Sequence, residues 1–301
     1  MATLVPPIKC QGIKTKLIPV LKQIIPPHQT LKGRWLEPFC GSGVVALNIA
    51  PRCALLSDTN IHIIRFYEEL RLGKISPAAV RVHLEAENVR LRAGGQEYYN
   101  SVRDKFNEHG ESLDFLFLNR ACFNGVMRFN RQGRFNVPFC HKLERFAQAY
   151  TTKIVNQVRV FQDAIRAREW RFVPLDFREI LAQATEEDFM YLDPPYFGRH
   201  VDYYNSWSMK DEDDLTQWLR NAPCRWALST WHSNQYRRNE TAAFWESLGY
   251  YIQKVEHFYH VGSNEDLRHS MTEAIVTNFK TEGSTQSFRP NESSQLALSL
   301  V

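Results

Sequence analysis

Four apolar residues, Phe189-Met190-Tyr191-Leu192, run directly into Asp193-Pro194-Pro195-Tyr196, and this junction constrains the fold more than any other stretch of the chain. An apolar run of that length bounded by prolines suits a buried strand that stops abruptly. Open α/β sheets place their chemistry at such strand ends. The two prolines fix φ and remove two backbone donors, so the Asp193 carboxylate and the neighbouring carbonyls face outward as acceptors. That arrangement suits an NH2 group, and Tyr196 adds an aromatic face for stacking on a planar base or meeting a cation. A rigid turn closing a strand is the plain alternative for this string taken alone.

A second pattern begins at Trp35-Leu36-Glu37-Pro38-Phe39-Cys40-Gly41-Ser42-Gly43 and continues into Val44-Val45-Ala46-Leu47-Asn48-Ile49-Ala50. Its order is strand, glycine turn, helix, with glycines that let backbone approach a ligand closely. A short strand from Cys53 to Ser57 then ends on Asp58, an acid placed to accept from ribose hydroxyls. Two glycines without a third for a pyrophosphate favour a nucleoside lacking bridging phosphates, and S-adenosylmethionine is such a ligand. A simple Gly-Ser-Gly turn is the competing interpretation.

A third region, Asn119 to Phe139, interleaves Arg, Asn and Phe, side chains that read guanine edges, read adenine edges and wedge between bases. Residues 118–171 hold eleven Lys or Arg against three Asp or Glu, a local net charge of +8 in a chain whose total is +4. The remainder is therefore about −4, and concentrated positive charge is the footprint of a nucleic-acid-binding module. A solvated basic face is the alternative.

With these three regions in hand, the chain resembles the Dam-type adenine-specific DNA methyltransferases, from Pro6 to about Phe279, in the order cofactor loop, recognition region, DPPY. Within that family it is most similar to the EcoRV modification methylase, through Pro7-Ile8-Lys9, Asp114 to Asn124, Arg145 to Tyr150 and His257 to Gly262. The resemblance implies an S-adenosylmethionine-dependent α/β fold, a Rossmann-like mixed sheet with an inserted, mainly helical target-recognition domain. The strand-helix alternation from Arg34 to about Leu72 resumes only near Arg171, which assigns residues 1–72 and 171–280 to catalysis and 73–170 to DNA recognition, and the Ser/Gln/Asn-rich residues 281–301 are expected to be a disordered tail.

By position, the resemblance implies that Glu37, Phe39, Gly41 and Gly43 form the cofactor loop and that Asp58 takes the ribose hydroxyls. Asp176 and Phe177, closing a strand from Trp170 to Leu175, would hold the cofactor's adenine. Lys9 to Lys14 matches the amino-terminal cofactor motif, but Cys10 stands where relatives carry Trp and Ile13 where they carry Gly. The cofactor set thus includes Cys10 and Lys14, although Lys14 and Lys16 also suit the exposed first turn of a helix from Thr15 to Ile25. Asp193, Pro194, Pro195 and Tyr196 are the implied catalytic residues, acting by direct methyl transfer to the 6-amino group of a flipped-out adenine. Phe123, Asn124, Arg128, Asn130, Asn136 and Pro138 are the implied DNA contacts, any arginine among them serving either a base or a phosphate. The substrate is double-stranded DNA, with GATATC as target and its first adenine modified, and a cognate restriction endonuclease is a genetic partner.

GATC specificity, a catalytically silent DNA-binding relative, an RNA adenine methyltransferase and a small-molecule amine methyltransferase are the alternatives. Composition accords with a cytoplasmic bacterial or phage enzyme. No apolar run reaches about 18 residues, and six cysteines are scattered without a CxxC pair. Ten histidines lack metal-ligand spacing, so no metal is expected. Helices are expected over Ile75 to Leu91, Tyr98 to Glu108 and Asp211 to Leu219. Further strands are expected near Arg225 to Ser229, Tyr251 to Tyr259 and Glu273 to Phe279, with Gly198 to Met209 as a mobile loop over the base pocket.

Overall fold

In the computed structural model, which describes residues 2–27, 31–196, 207–234, 240–258, 270–281 and 285–286, the chain builds an eight-stranded mixed sheet. The strands are β1 (Trp35–Glu37), β2 (Cys53–Ser57), β3 (Glu169–Val173), β4 (Phe189–Leu192), β5 (Arg225–Asn234), β6 (Tyr251–Phe258), β7 (Ser270–Thr277) and β8 (Thr285–Gln286), in spatial order β3-β2-β1-β4-β5-β7-β6-β8. The first five are parallel, and β7, β6 and β8 add antiparallel. This is the mixed α/β sheet expected of the methyltransferase fold. Strand order reverses at the β1/β4 junction, which places a crevice at their carboxyl ends.

Burial on both faces explains why β4 is apolar throughout and why β1 is apolar up to Glu37, which is buried as well. Trp35 stacks on Phe189 at 5.3 Å and on Tyr191 at 5.9 Å, an aromatic column across the β1/β4 pair. The connecting helices are α1 (Ile18–Ile24), α2 (Val44–Ile49), α3 (Ile61–Arg71), α4 (Pro77–His109), α5 (Ser112–Ala121), α6 (Gln148–Arg166), α7 (Phe177–Leu181), α8 (Met209–Arg220) and α9 (Glu240–Ser247). One cluster of buried side chains joins the sheet to α3, α4, α5 and α6, so segment 73–170 shares its core with the strands.

Each element has a local cause. Ser76 caps α4 through Ala79 N–H, with Pro77 in the first turn, and Gly110 ends it in the left-handed region. Gly95, at φ 52°, breaks α4 internally, where two helices were expected around Ala93-Gly94-Gly95. On α6, Ile154, Val158, Phe161 and Ile165 recur at helical spacing and face inward, while Lys153, Arg159 and Arg166 face out.

Several boundaries differ from those expected. The strand placed at Trp170 to Leu175 is Glu169–Val173, because Leu175 leaves the ladder to exchange hydrogen bonds with the Ser57 hydroxyl. β5 runs to Asn234 past an irregularity between Trp231 and Ser233, and β7 starts at Ser270, to pair with it, and stops at Thr277. The helix expected from Thr15 splits into a 3-10 turn, Lys14–Lys16, and α1, whose start is set by Pro19 and whose end precedes Pro26. Within the tail expected to be disordered, Thr285–Gln286 pair with β6. The expected loop over Gly198 to Met209 lies outside the described residues as far as 206.

Candidate active site

Four strand ends and the amino-terminal turn converge on one cavity of 460 Å³, inside the roughly 300–1,000 Å³ range of small-molecule sites. Cys10, Lys14, Phe39, Gly41, Asp58, Asp176, Phe177 and the whole of Asp193 to Tyr196 line it, joining residues up to 186 positions apart in the sequence.

At the floor, Lys14 is 5 % exposed and its Nζ lies 3.0 Å from Asp193 Oδ1 and 5.0 Å from the centre of the Tyr196 ring. Gly12 O accepts from the same ammonium at 2.8 Å. The surface alternative therefore fails for Lys14 and holds for Lys16, which is exposed. Burial disfavours the Lys14 charge, but Asp193, Tyr196 and Glu273 outweigh it and push the ammonium above its ordinary range. Burial likewise raises Asp193, to about 6, against the pull of Lys14 and with Glu273 adding to the rise. Asp193, whose ion-pair partner among the described residues is Lys14, lines the cavity.

The opposite end is aromatic. Phe39, Phe177 and Trp207 contact one another at ring separations of 5.3–5.6 Å. Asp176 stands beside them as the N-cap of α7, bonded to Arg178 N–H at 3.0 Å, and so begins a helix instead of ending a strand. Between the two ends, Asp58 accepts from Gly41 N–H at 2.9 Å and Asn60 N–H at 2.8 Å, while burial raises its pKa. Gly41, at φ 47°, bends the backbone so that no side chain intrudes.

Two expected loop residues sit behind the wall. Glu37 is buried, bonded by the Trp35 indole at 2.9 Å, and burial pushes it to about 8, so it is largely protonated at neutral pH. Gly43 caps α2 at φ 70°, and a Cβ there would lie 2.8 Å from the Phe161 ring, so this glycine lets α6 approach.

The six expected DNA contacts fall on one hairpin. Bridges Cys122↔Phe139 and Phe129↔Phe135 pair its arms, with Phe129, Phe135, Val137 and Phe139 buried. Phe123, 54 % exposed, Asn124 and Pro138 form its root; Arg128, Asn130 and Asn136 lie along its arms. Arg128 Nε donates to Asn136 Oδ1 at 2.9 Å, and Asn130 Oδ1 accepts from Gln132 and Arg134 N–H across the tip. Arg131 and Arg134 are exposed at that tip, and Met127, in the same hairpin, lines the cavity.

Sequence patterns had missed Asn60, Met127, Trp207, Asp211 and Glu273. Asn60 is the N-cap of α3, and Ser208 with Asp211 forms a capping box, so both carried a local signal. Trp207 lay within the segment expected to cover the base pocket without being singled out, and Met127 and Glu273 carried no signal, since only the tertiary fold brings them here. Ser229 is buried and shares a 2.7 Å hydrogen bond with Tyr191, a packing role.

Residues 11–261 match the family model described as D12 class N6 adenine-specific DNA methyltransferase. The chain belongs to that family. Among curated relatives, it is 24% identical to the Type II methyltransferase M.FokI of Planomicrobium okeanokoites over 91% of this chain and 42% of that one. It is 31% identical to a DNA adenine methylase of Vibrio cholerae over 63% of this chain and 64% of that one. It is also 25% identical to the Type II methyltransferase M1.LlaDCHI of Lactococcus lactis subsp. cremoris over 90% and 94%. The chain thus spans less than two thirds of the first two relatives and nearly all of the third. Among the described residues there is no group of three or more metal-ligating side chains, and no helix is long and apolar enough to cross a membrane.

Proposed function

We propose that this chain transfers a methyl group from S-adenosylmethionine to the exocyclic 6-amino group of a flipped-out adenine in double-stranded DNA. The observation that carries this is Asp193: Lys14 holds one carboxylate oxygen at 3.0 Å, and the residue lines the cavity together with Pro194, Pro195 and Tyr196.

The residues fit the nucleoside donor. An aromatic end takes the adenine, with Asp176 accepting from its amine, and Asp58 lies where ribose hydroxyls would reach it. Cys10, Gly12 and Gly41 line the space toward Asp193. When bound, the donor supplies an electrophilic sulfonium methyl.

The amino lone pair of adenine is delocalised into the ring, which makes it a poor nucleophile. Asp193 Oδ2 and the Pro194 carbonyl accept from the NH2 group and draw it toward a tetrahedral geometry that exposes the lone pair. Tyr196 stacks on the extruded base. Lys14 anchors Asp193 and keeps it ionised near neutrality despite burial. The proton lost from the nitrogen after transfer finds Asp193 as its nearest acceptor.

The hairpin and the basic 118–171 segment take the duplex, with Phe123 wedging into the stack and Arg128, Asn130 and Asn136 at base edges. GATATC, modified at its first adenine, is the target suggested by the resemblance to the EcoRV modification methylase, and a cognate restriction enzyme is the genetic partner. Names of relatives as Type II methyltransferases support that context. Cytoplasmic action follows from the substrate.

Radiolabelled transfer into duplexes carrying GATATC, GATC alone or neither tests this. Label only in GATATC is expected. Label in every GATC keeps the chemistry and moves the specificity to the Dam branch. No label in any duplex overturns the proposal.

A further inference from the structure

Trp207 enters the cavity from the start of α8, eleven positions beyond Tyr196, and touches both Phe177 at 5.3 Å and Phe39 at 5.6 Å. The Phe39 contact is near-perpendicular, at 74° between the ring planes, and the Phe177 contact is tilted by 44°. Three aromatic rings from β1's turn, α7 and α8 therefore enclose one end of the cavity. The Trp207 indole donates to Glu212 Oε2 at 2.7 Å, which fixes the ring's orientation.

What keeps α8 in that place is one guanidinium. Arg178, the second residue of α7, lies over the Phe177 ring at 4.4 Å. Its Nη1 meets Asp176 at 3.2 Å, its Nη2 meets Asp211 at 2.6 Å and its Nε meets Asp214 at 2.7 Å. Asp176 and Asp211 both line the cavity. The planar fork thus ties the helix carrying Phe177 to the helix following Trp207, and each nitrogen has its own carboxylate. A lysine has one nitrogen and cannot reproduce that geometry. Asp211 also accepts from Ser208 N–H and Oγ–H at 2.8 and 2.6 Å, so the fork acts on the residue adjoining Trp207.

Resting on the proposed function, we propose that Trp207 is a binding residue for the purine of the nucleoside donor, the third ring of an aromatic wall with Phe39 and Phe177 against which the purine packs, and that Arg178 is the positioning residue that holds Trp207 in that wall.

The test is calorimetric titration of the full chain with S-adenosylhomocysteine, 5′-methylthioadenosine and methionine. Trp207→Ala should weaken both adenine-bearing ligands by about tenfold or more, the scale of a lost base–aromatic stack, and leave methionine unchanged. Trp207→Phe keeps a ring and should retain most of the affinity, while losing the ligand-induced quenching of tryptophan emission assigned to Trp207. Arg178→Gln should weaken the same two ligands, and Arg178→Lys should fail to restore them. Lys210→Ala, which removes only an exposed partner of Asp214, serves as control and should bind as wild type.

Unchanged affinity in Trp207→Ala, equal losses for methionine, or full rescue by Arg178→Lys would overturn the inference. A wild-type chain that binds none of the adenine-bearing ligands would instead overturn the proposed function.

Discussion

The cavity and the hairpin are built on opposite terms. Around the cavity, the charged and polar groups already have partners inside the protein: Lys14 on Asp193, Asp58 on two backbone amides, Asp176 on Arg178. On the hairpin Phe129, Phe135 and Phe139 are buried and Phe123 is exposed, while the polar side chains bond mainly to each other or face out. The cavity is preorganised for one small ligand and one reaction, where displacement of a single group costs rate. The hairpin is a rigid frame carrying exchangeable contacts, so its site preference can change without disturbing the core.

Asp193→Ala separates the two regions most strongly. Methyl transfer should fall by roughly a thousandfold while duplex binding in a gel-shift assay stays near wild type. Comparable loss of both would tie the hairpin to the catalytic carboxylate and erase the contrast.

Lys14→Gln has the next largest effect. The rate falls below pH about 6 in the wild type as the Asp193 carboxylate takes a proton. Removing Lys14 takes away the charge that opposes burial, so Asp193 is protonated at higher pH and the acidic limb of the single-turnover profile moves upward. An unmoved limb would show that Asp193 does not control it.

Arg128→Ala should lower discrimination at one base pair by about 1–3 kcal/mol, measured as relative rates on single-substituted duplexes, with donor affinity unchanged. A uniform loss on all duplexes would make Arg128 a phosphate contact.

Asn136→Ala gives the smallest increment. Because Arg128 and Asn136 share a hydrogen bond, the double variant should lose less than the sum of the single losses. Strict additivity would mean that they act independently.

The cavity was largely legible in the sequence because its residues sit where strands stop, and strand ends carry local marks: two prolines after Leu192, glycines after Phe39, an acid after Ser57. Cys10 and Lys14 also lie in the cavity, and the burial of Lys14 settles its alternative. Trp207 lay within the segment expected to cover the base pocket without being singled out, and Met127 carried no mark, since their contacts come from helix placement and hairpin packing. Gly43 shows the limit from the other side: its motif pointed to the ligand, while its Cβ position faces Phe161. On the hairpin, the interleaving of Arg, Asn and Phe was visible in the sequence, but there the Phe side chains read as wedges between bases, whereas Phe129, Phe135 and Phe139 pack inside; the Arg128–Asn136 and Asn130 pairings were not visible, because they depend on the turn that brings the arms together.

The most direct measurement is mass spectrometry of nucleosides digested from a GATATC duplex after incubation with S-adenosylmethionine bearing a trideuterated methyl group. The account predicts trideuterated N6-methyladenine as the labelled nucleoside, formed by the wild type and lost in Asp193→Ala. Label on cytosine, or on adenine undiminished by that substitution, would contradict it.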